Sequence, residues 1–421
     1  MHPVLRILGV FFAFCLTAVA WLVLGAVTDS RTSEQRFALD GRVSDLWGAA
    51  QAQQAPQLQL EWTDVVTEEE WTTVNGVRQL VTKRVAIPRS QVVQPAKTDL
   101  AVDLRLDERR KGLLWFPLYD VRFDGGWRYV HAGVPRDLRL TFVFPDAQGF
   151  YDDFRFTVDG VDRASPPENG RVSAVVPVVE GQVVELAVGY RSRGSTTWTY
   201  QPTQGVGQVD DFRLAMTTDF SRIDFPTMTM SPTSREQADG GWKLDWTFER
   251  LVTGYGVGMV MPERVQPGEL AASMSLTAAL PLGLFFLWIY VLGLLKGTEI
   301  HPINYLFVAA AFFAFNLLFA YTADHLPVEG AFVLASATSV FLVVSYLRLV
   351  VGPRFAFVEA GLAQLLYQVG FSAAHFFDGF TGLTITVLGV GTLFALMQLT
   401  GRVDWSRALG GRASPATPVA T

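Results

Sequence analysis

The feature that most constrains this sequence is a set of long apolar tracts without charged residues. One runs from Leu8 to Val27, and others recur between Leu270 and Thr400. About 20 apolar residues, each rising 1.5 Å along a helix, cross the roughly 30 Å hydrocarbon layer of a membrane. Lipid offers the backbone no hydrogen-bond partners, so such tracts must be helical. The sequence therefore predicts a membrane protein, and a charged fraction of only 18% agrees with this.

We predict six membrane helices, one near the N-terminus and five in the last third of the chain. The first lies within residues 1–27. Its apolar core is longer than the 7–15 residues of a cleaved signal peptide, so we interpret it as an uncleaved anchor. The five-helix domain is expected over residues 271–401. Its spans are predicted at 272–295, 303–322, 327–349, 355–376 and 381–400.

Loop charges orient these spans, because Lys and Arg concentrate in cytoplasmic loops. The segments on one side hold all the short-loop positive charges: Arg6, Lys296, Arg348, Arg354, Arg402, Arg407 and Arg412. The loops on the other side hold only acidic charges: Asp324, Glu329 and Asp378. Both termini are therefore predicted to be cytoplasmic, with residues 28–270 outside. The tail 402–421, rich in Gly, Ala, Ser and Pro, is expected to be disordered.

Residues 28–270 are predicted to form a large β-rich domain between the first two spans. A helical stalk is expected over about 33–54, followed by strands in which apolar and polar residues alternate, as in 138–144 and 183–190. Many short strands separated by turn residues favour an antiparallel, sandwich-like fold. The domain is mildly acidic, which argues against nucleic acid as a partner. The single cysteine, Cys15, excludes an intramolecular disulfide.

Polar side chains inside the predicted spans are candidate functional residues, because burying them in lipid is costly. Gln364, Gln368, Ser372 and His375 follow one another at steps of four, four and three, which places them on one helix face. One hypothesis is a polar path or small-ligand groove along this face. The other is interhelical hydrogen bonding that fixes packing, with Asn316 or Gln398 as partners.

A second set of polar residues lies at the outer ends of two spans. Asp324 and His325 end the span 303–322, and His375 and Asp378 end the span 355–376. Imidazole and carboxylate groups are zinc ligands, so these four could hold a metal if they meet in space. No spacing within either pair identifies a metal motif, and polar residues that cap spans at the interface are the ordinary explanation. We expect no resident metal or cofactor.

The last third of the chain resembles the CreD family of bacterial inner-membrane proteins. The segments 300–308 (Ile-His-Pro-Ile-Asn-Tyr-Leu-Phe-Val), 323–326 (Ala-Asp-His-Leu) and 401–405 (Gly-Arg-Val-Asp-Trp) carry the likeness, and it is looser upstream. Asp324 stands where the family pattern has Glu. The resemblance implies an anchor helix, a periplasmic β domain and a terminal membrane bundle. It also implies an association with envelope stress and integrity, and it implies no known reaction.

The expected function is a non-enzymatic inner-membrane protein whose periplasmic domain binds or senses an envelope component. No catalytic constellation is visible: Gly-x-Ser-x-Gly and His-Glu-x-x-His are both absent from the sequence. The alternative is a transporter or lipid-handling protein that uses the polar stripe of the span 355–376. The lipid bilayer is the one partner the sequence predicts, and the ligand and the oligomeric state stay open.

Overall fold

The computed structural model describes residues 3–74, 77–163, 165–298, 300–377 and 379–401, with the side chains of 3, 72–74, 77–79 and 81 outside the description. The predicted tail 402–421 and Asp378 therefore lie outside the described residues. Contacts divide the chain into two compact units. One comprises Met1–Ala38 with Val265–Thr421, and the other comprises Leu39–Arg264. They are described separately below.

The long apolar helix at the N-terminus, α1, runs over Pro3–Trp47. It ends seven residues before the predicted end of the stalk, because Gly48 takes the left-handed backbone conformation with φ +101°. The Gly48 N–H donates to the Ser44 carbonyl oxygen at 2.9 Å, and this hydrogen bond ends the helix. A Cβ at Gly48 would lie 2.3 Å from the Arg193 carbonyl oxygen, so the position requires glycine.

Fifteen strands are described between residues 51 and 260. They are β1 (Gln51–Gln54), β2 (Gln57–Val74), β3 (Val77–Val93), β4 (Lys97–Lys111), β5 (Leu114–Val130), β6 (Arg136–Val143), β7 (Tyr151–Val158), β8 (Val161–Asp162), β9 (Arg171–Val178), β10 (Val183–Ser195), β11 (Thr197–Gln201), β12 (Gly207–Thr218), β13 (Ser234–Ala238), β14 (Gly241–Thr253) and β15 (Val257–Val260).

These strands form three sheets. Their orders are β1-β11-β15, then β13-β14-β12-β4-β5-β10-β7-β8, and β3-β2-β6-β9. Most neighbours are antiparallel, as predicted, but β1 with β11 and β12 with β4 are parallel. The prediction of an antiparallel fold is therefore wrong for these two pairs of strands. Parallel neighbours need a long connection, and here at least seven strands separate the members of each pair in sequence.

The core of the β-rich unit is aromatic and is built from alternate residues of its strands. Phe123 of β5 and Tyr190 of β10 stack with ring centroids 5.1 Å apart, and Trp198, Tyr200 and Phe212 are fully buried around them. The Tyr190 hydroxyl donates to Gln53 Oε1 at 2.9 Å, so the buried polar atom is satisfied. The intervening residues of β4, β5 and β10 face away from this core.

The other unit is helical and apolar. Besides the first part of α1 it contains α2 (Pro267–Thr277), α3 (Ala279–Leu295), α4 (Pro302–Thr322), α5 (Val328–Val350), a broken helix over 355–376, and α6 (Phe380–Thr400). Among the described residues, α1, α4, α5 and α6 are long and apolar enough to cross a membrane, and α2 with α3 makes a fifth candidate if counted as one span. The chain is thus an α+β membrane protein with four to five candidate membrane helices.

Two of the predicted spans are interrupted. α2 and α3 meet at 42°. Pro281 explains this break, because its ring clashes with the carbonyl of the residue four positions earlier, Thr277, where α2 ends. The broken helix alternates between π-helical segments (Phe355–Ala360 and Leu365–Gly370) and short α or 3-10 segments. It is helical throughout 355–376, but no single segment of it is long enough to count as a span.

Candidate functional site

The polar stripe predicted for the broken helix forms a buried amide cluster. Gln364 Nε2 donates to Gln368 Oε1 at 2.9 Å and lies 3.0 Å from Ser339 Oγ of α5. Gln368 Nε2 donates to the Phe312 carbonyl oxygen of α4 at 3.0 Å. The two glutamines are 0% and 3% exposed. The cluster therefore ties α4, α5 and the broken helix together at one level.

Ser339 is the partner that the sequence did not reveal. Its hydroxyl lies 2.8 Å from the Ala311 carbonyl oxygen and 2.9 Å from Gln368 Oε1, and its single proton goes to one of the two. Of the partners expected from sequence, Gln398 is exposed and Asn316 is buried with its Oδ1 unpaired among the described atoms. Ser339 stands four residues from two buried neighbours of α5, Ala335 and Val343, and this spacing is the signal that marks it as inward-facing.

Amide and hydroxyl groups make up this cluster, and neither titrates in the physiological range. It therefore offers hydrogen bonds but carries no proton relay. Gln364 Oε1 is buried without a partner among the described atoms, so the cluster is not fully satisfied. Its hydrogen bonds hold neighbouring helices together, and each interhelical hydrogen bond contributes about 0.6 kcal/mol to stability on average.

Asp324 and His325 have different surroundings. The Asp324 carboxylate is 9% exposed and pairs with the Arg31 guanidinium of α1 at 2.9 Å. His325, the next residue, is exposed. The Arg31 guanidinium also lies over the Tyr321 ring, 5.6 Å from its centroid. Asp324 thus acts as an ion-pair partner that joins α1 to the end of α4, which the sequence did not predict.

His375 links the broken helix to the end of α2. Its Nε2 lies 2.9 Å from Thr277 Oγ1 at the end of α2, and its ring packs edge-on against Phe371. Asp378, its predicted neighbour in a metal set, lies outside the described residues. Within the described part of the chain, no three His, Cys, Asp or Glu side chains are grouped so that they could hold a metal ion.

The outward face of the eight-stranded sheet carries a second candidate site, which the sequence analysis missed. Asp103 of β4 lies directly opposite Arg122 of β5, and Arg122 lies directly opposite Arg191 of β10. Two arginines thus stand side by side across neighbouring strands, an arrangement that destabilises a sheet unless something offsets it. Each has an acidic neighbour: Arg122 pairs with Asp124 at 3.2 Å, and Arg191 pairs with Asp153.

These two arginines form the wall shared by two clefts in the sheet face. One cleft, of about 260 Å³, is lined on its far side by Arg155 and Phe154. The other, of about 520 Å³, contains Phe150, whose side chain is 70% exposed. Hydrogen bonding to Asp153 raises the pKa of Arg191, so its guanidinium stays protonated. Carboxylates also line both clefts, Asp124 and Asp153 in the first and Asp103, Asp120 and Asp152 in the second. The surface therefore presents arginines that alternate with carboxylates, beside an exposed aromatic ring.

The sequence does hold a signal for this face. In Asp120-Val121-Arg122-Phe123-Asp124 every second residue is charged and the others are buried, and Arg191-Ser192-Arg193 repeats the charged spacing on the neighbouring strand. Alternation alone identifies the charged residues as outward-facing. It does not reveal which strands are neighbours, and so the pairing of the two arginines could not be read from it.

Residues 271–406 match the family described as Inner membrane protein CreD. No curated protein matches the chain. Among solved structures, a candidate nutrient-binding protein of Legionella pneumophila is similar at 9% identity and a TM-score of 0.26, with 52% of this chain and 82% of that chain covered. An M1 zinc metallopeptidase of Deinococcus radiodurans is similar at 11% identity and a TM-score of 0.23, with 78% and 96% covered. Likenesses at these scores carry no argument about fold or function.

Proposed function

We propose, because residues 271–406 match the family described as Inner membrane protein CreD, that the chain is a non-enzymatic envelope protein of this family whose β-rich domain binds an envelope component. The proposed topology has six spans with both termini in the cytoplasm. It places residues 28–270 in the periplasm, and it counts the broken helix and the α2–α3 pair as one span each. Loop charge supports this arrangement.

The observation that carries the proposal is the pair Arg122 and Arg191. Side by side on neighbouring strands, they offer guanidinium groups to one carboxylate or phosphate, which such groups bind with paired, charge-assisted hydrogen bonds. The clefts on either side extend the site beyond one anion. Phe150 adds a flat apolar surface on which a sugar ring or peptide can stack. We therefore propose a cell-wall fragment that carries both a carboxylate and a sugar or peptide.

The site is built mainly from surface ion pairs, which contribute little to stability, typically under about 1 kcal/mol each. Its charges can therefore be removed without unfolding the sheet. Removing Arg122 or Arg191 also relieves the repulsion between them. A loss of binding in such a variant would consequently report on the site and not on the fold.

The test is a titration of the full-length chain in lipid nanodiscs with soluble cell-wall fragments. Arg191→Gln should weaken binding by about 10- to 100-fold, as expected for one charge-assisted hydrogen-bond partner. Arg213→Gln is the matched control, because Arg213 lies exposed on the same sheet face at β12 and outside both clefts. Equal affinity in both variants, or no binding of any fragment by the unmodified chain, would contradict the proposal.

The alternative, transport or lipid handling along the polar stripe, has less support. Gln364 is hydrogen-bonded to Ser339 and Gln368 to the Phe312 carbonyl oxygen, so their amides already hold the helices together. The alternative requires that Gln368→Leu abolish function while the amount of protein in the membrane stays unchanged. That outcome is distinct from the loss of stability expected for a packing role.

A further inference from the structure

An open apolar groove of about 670 Å³ lies between α5 and the broken helix. Its volume falls within the range of roughly 300–1,000 Å³ that is typical of sites for small molecules. The side chains of Val333, Phe341, Phe357 and Leu362 form its walls, and each is more than half exposed. The groove therefore opens outward from the helices instead of being an internal void.

Small residues produce the groove. Ala337 of α5 and Gly361 of the broken helix line it. A Cβ placed on Gly361 would lie 3.5 Å from Val344 Cγ2, so the two helices approach closely there. The large side chains above and below this contact then stand apart from each other as two rims. The groove between them therefore results from the small side chains of Ala337 and Gly361.

One end of the groove is positively charged. Arg348 lines it there, near the C-terminal end of α5. In the part of the chain that the structure describes, no carboxylate lies within ion-pair distance of Arg348, whereas nearby Lys296 and Glu359 pair with each other. The other polar lining residues are two serines, and the Ser345 hydroxyl donates to the Leu342 carbonyl oxygen. The guanidinium is thus the one lining charge available to a ligand.

The groove is long enough to hold an acyl chain across one leaflet. From Arg348 to Phe332, the far end on α5, the helix spans 16 residues, or about 24 Å at 1.5 Å per residue. One leaflet of the hydrocarbon layer is about 15 Å thick, half of the roughly 30 Å total. A chain that starts at Arg348 can therefore run along the groove to the middle of the membrane.

We propose that this groove binds an anionic phospholipid from the leaflet on the Arg348 side, with one acyl chain between α5 and the broken helix and the phosphate on Arg348. The apolar walls would hold any lipid tail. The charge at the end favours a head group with net negative charge over a zwitterionic one. The proposal is independent of the ligand suggested for the β-rich domain.

The test is native mass spectrometry of the full-length chain released from nanodiscs of phosphatidylcholine that contain a minor fraction of phosphatidylglycerol. The chain should carry phosphatidylglycerol about tenfold above its share of the membrane, the ratio expected for one charge-assisted contact. Arg348→Gln should abolish the enrichment and leave phosphatidylcholine adducts in place, which also shows that the groove is intact. Ala337→Phe, which fills the groove from an exposed position, should remove both adducts.

The control is Arg354→Gln, an exposed arginine near the same membrane face that does not line the groove; it should keep the enrichment. Enrichment that survives Arg348→Gln, or that Arg354→Gln removes equally, would overturn the proposal. Inorganic phosphate should not displace the lipid. If phosphate does displace it, the site is an anion site without a lipid tail and the proposal fails.

Discussion

Gln368 lies at the centre of the amide cluster, and its replacement by leucine gives a direct measure of what the cluster does. The side chain makes hydrogen bonds with Ser339, Gln364 and the Phe312 carbonyl oxygen. Two of these contacts, with Ser339 and with the Phe312 carbonyl oxygen, join different helices, and at an average of about 0.6 kcal/mol each their loss sums to about 1 kcal/mol. Leucine has a similar volume and restores apolar contact, so the net loss should be about 1 kcal/mol or less in the free energy of unfolding.

The assay is unfolding of the full-length chain in bicelles, together with its abundance in membranes. Gln398→Leu is the matched control, because it makes the same substitution on α6 at an exposed position. There the change removes a polar group from the lipid-facing surface, so stability should stay the same or rise. Equal free energies of unfolding for the two variants would refute the packing role. If Gln368→Leu also abolished function at unchanged abundance, the transport hypothesis would gain support.

Three further predictions concern the ends of elements and ion pairs. Gly48→Ala should destabilise the β-rich unit by about 2 kcal/mol or more in denaturant unfolding, since its φ of +101° and close backbone contact exclude a Cβ. Arg31→Gln should destabilise the membrane unit by about 1.5–3 kcal/mol, and adding Asp324→Asn should restore part of the loss. Glu61→Gln should lower the free energy of unfolding above about pH 4.5 and leave it unchanged at low pH, measured by denaturant unfolding across pH. The hydrogen bond from Arg139 lowers the pKa of Glu61 in the folded chain, so the advantage of the unmodified chain is present above its ordinary value of 4.5 and is lost as the pH falls through the folded value.

The first two of these predictions have controls in the chain. Gly41 lies in α1 with open space around it, and Gly41→Ala should stabilise by up to about 1 kcal/mol. Arg36 pairs with Glu269 at an exposed position, so Arg36→Gln should change stability by less than about 1 kcal/mol. A loss as large as that of Arg31→Gln would show that exposure does not decide the strength of these pairs.

Hydropathy predicted the apolar helices well because the membrane requirement is local. Each residue contributes its own free energy of transfer from water to lipid, so a contiguous stretch of sequence is enough to identify a span. The interruptions were missed for a related reason. Pro281 was visible, but its effect depends on where the preceding helix places the Thr277 carbonyl. The π-helical segments of 355–376 have no signal in hydropathy, because hydropathy averages side-chain polarity and does not report which backbone carbonyl each N–H bonds.

The candidate sites were predictable only in part, because their geometry depends on partners distant in sequence. The spacing of Gln364 and Gln368 placed them on one face, and the structure shows them hydrogen-bonded to each other. Their outside partner, Ser339, depends on the register between two helices. Likewise Asp324 pairs with Arg31, which is 293 residues away. The pairing of Arg122 with Arg191 follows from strand order, which alternation does not encode.

The small sheet β1-β11-β15 has a mechanical consequence. β1 follows α1 and β15 precedes α2, and each is hydrogen-bonded to β11 between them. Gln51 and Met259 flank Trp198 at one end of this sheet, so the chain enters and leaves from the same side. A force that drew the two connections apart would peel the strands from that end, one hydrogen bond after another, instead of shearing all of them together. The strands β1 and β15 would therefore separate from β11 under a weaker force than shearing requires, and their separation would uncover Trp198 and Tyr200 of the aromatic core.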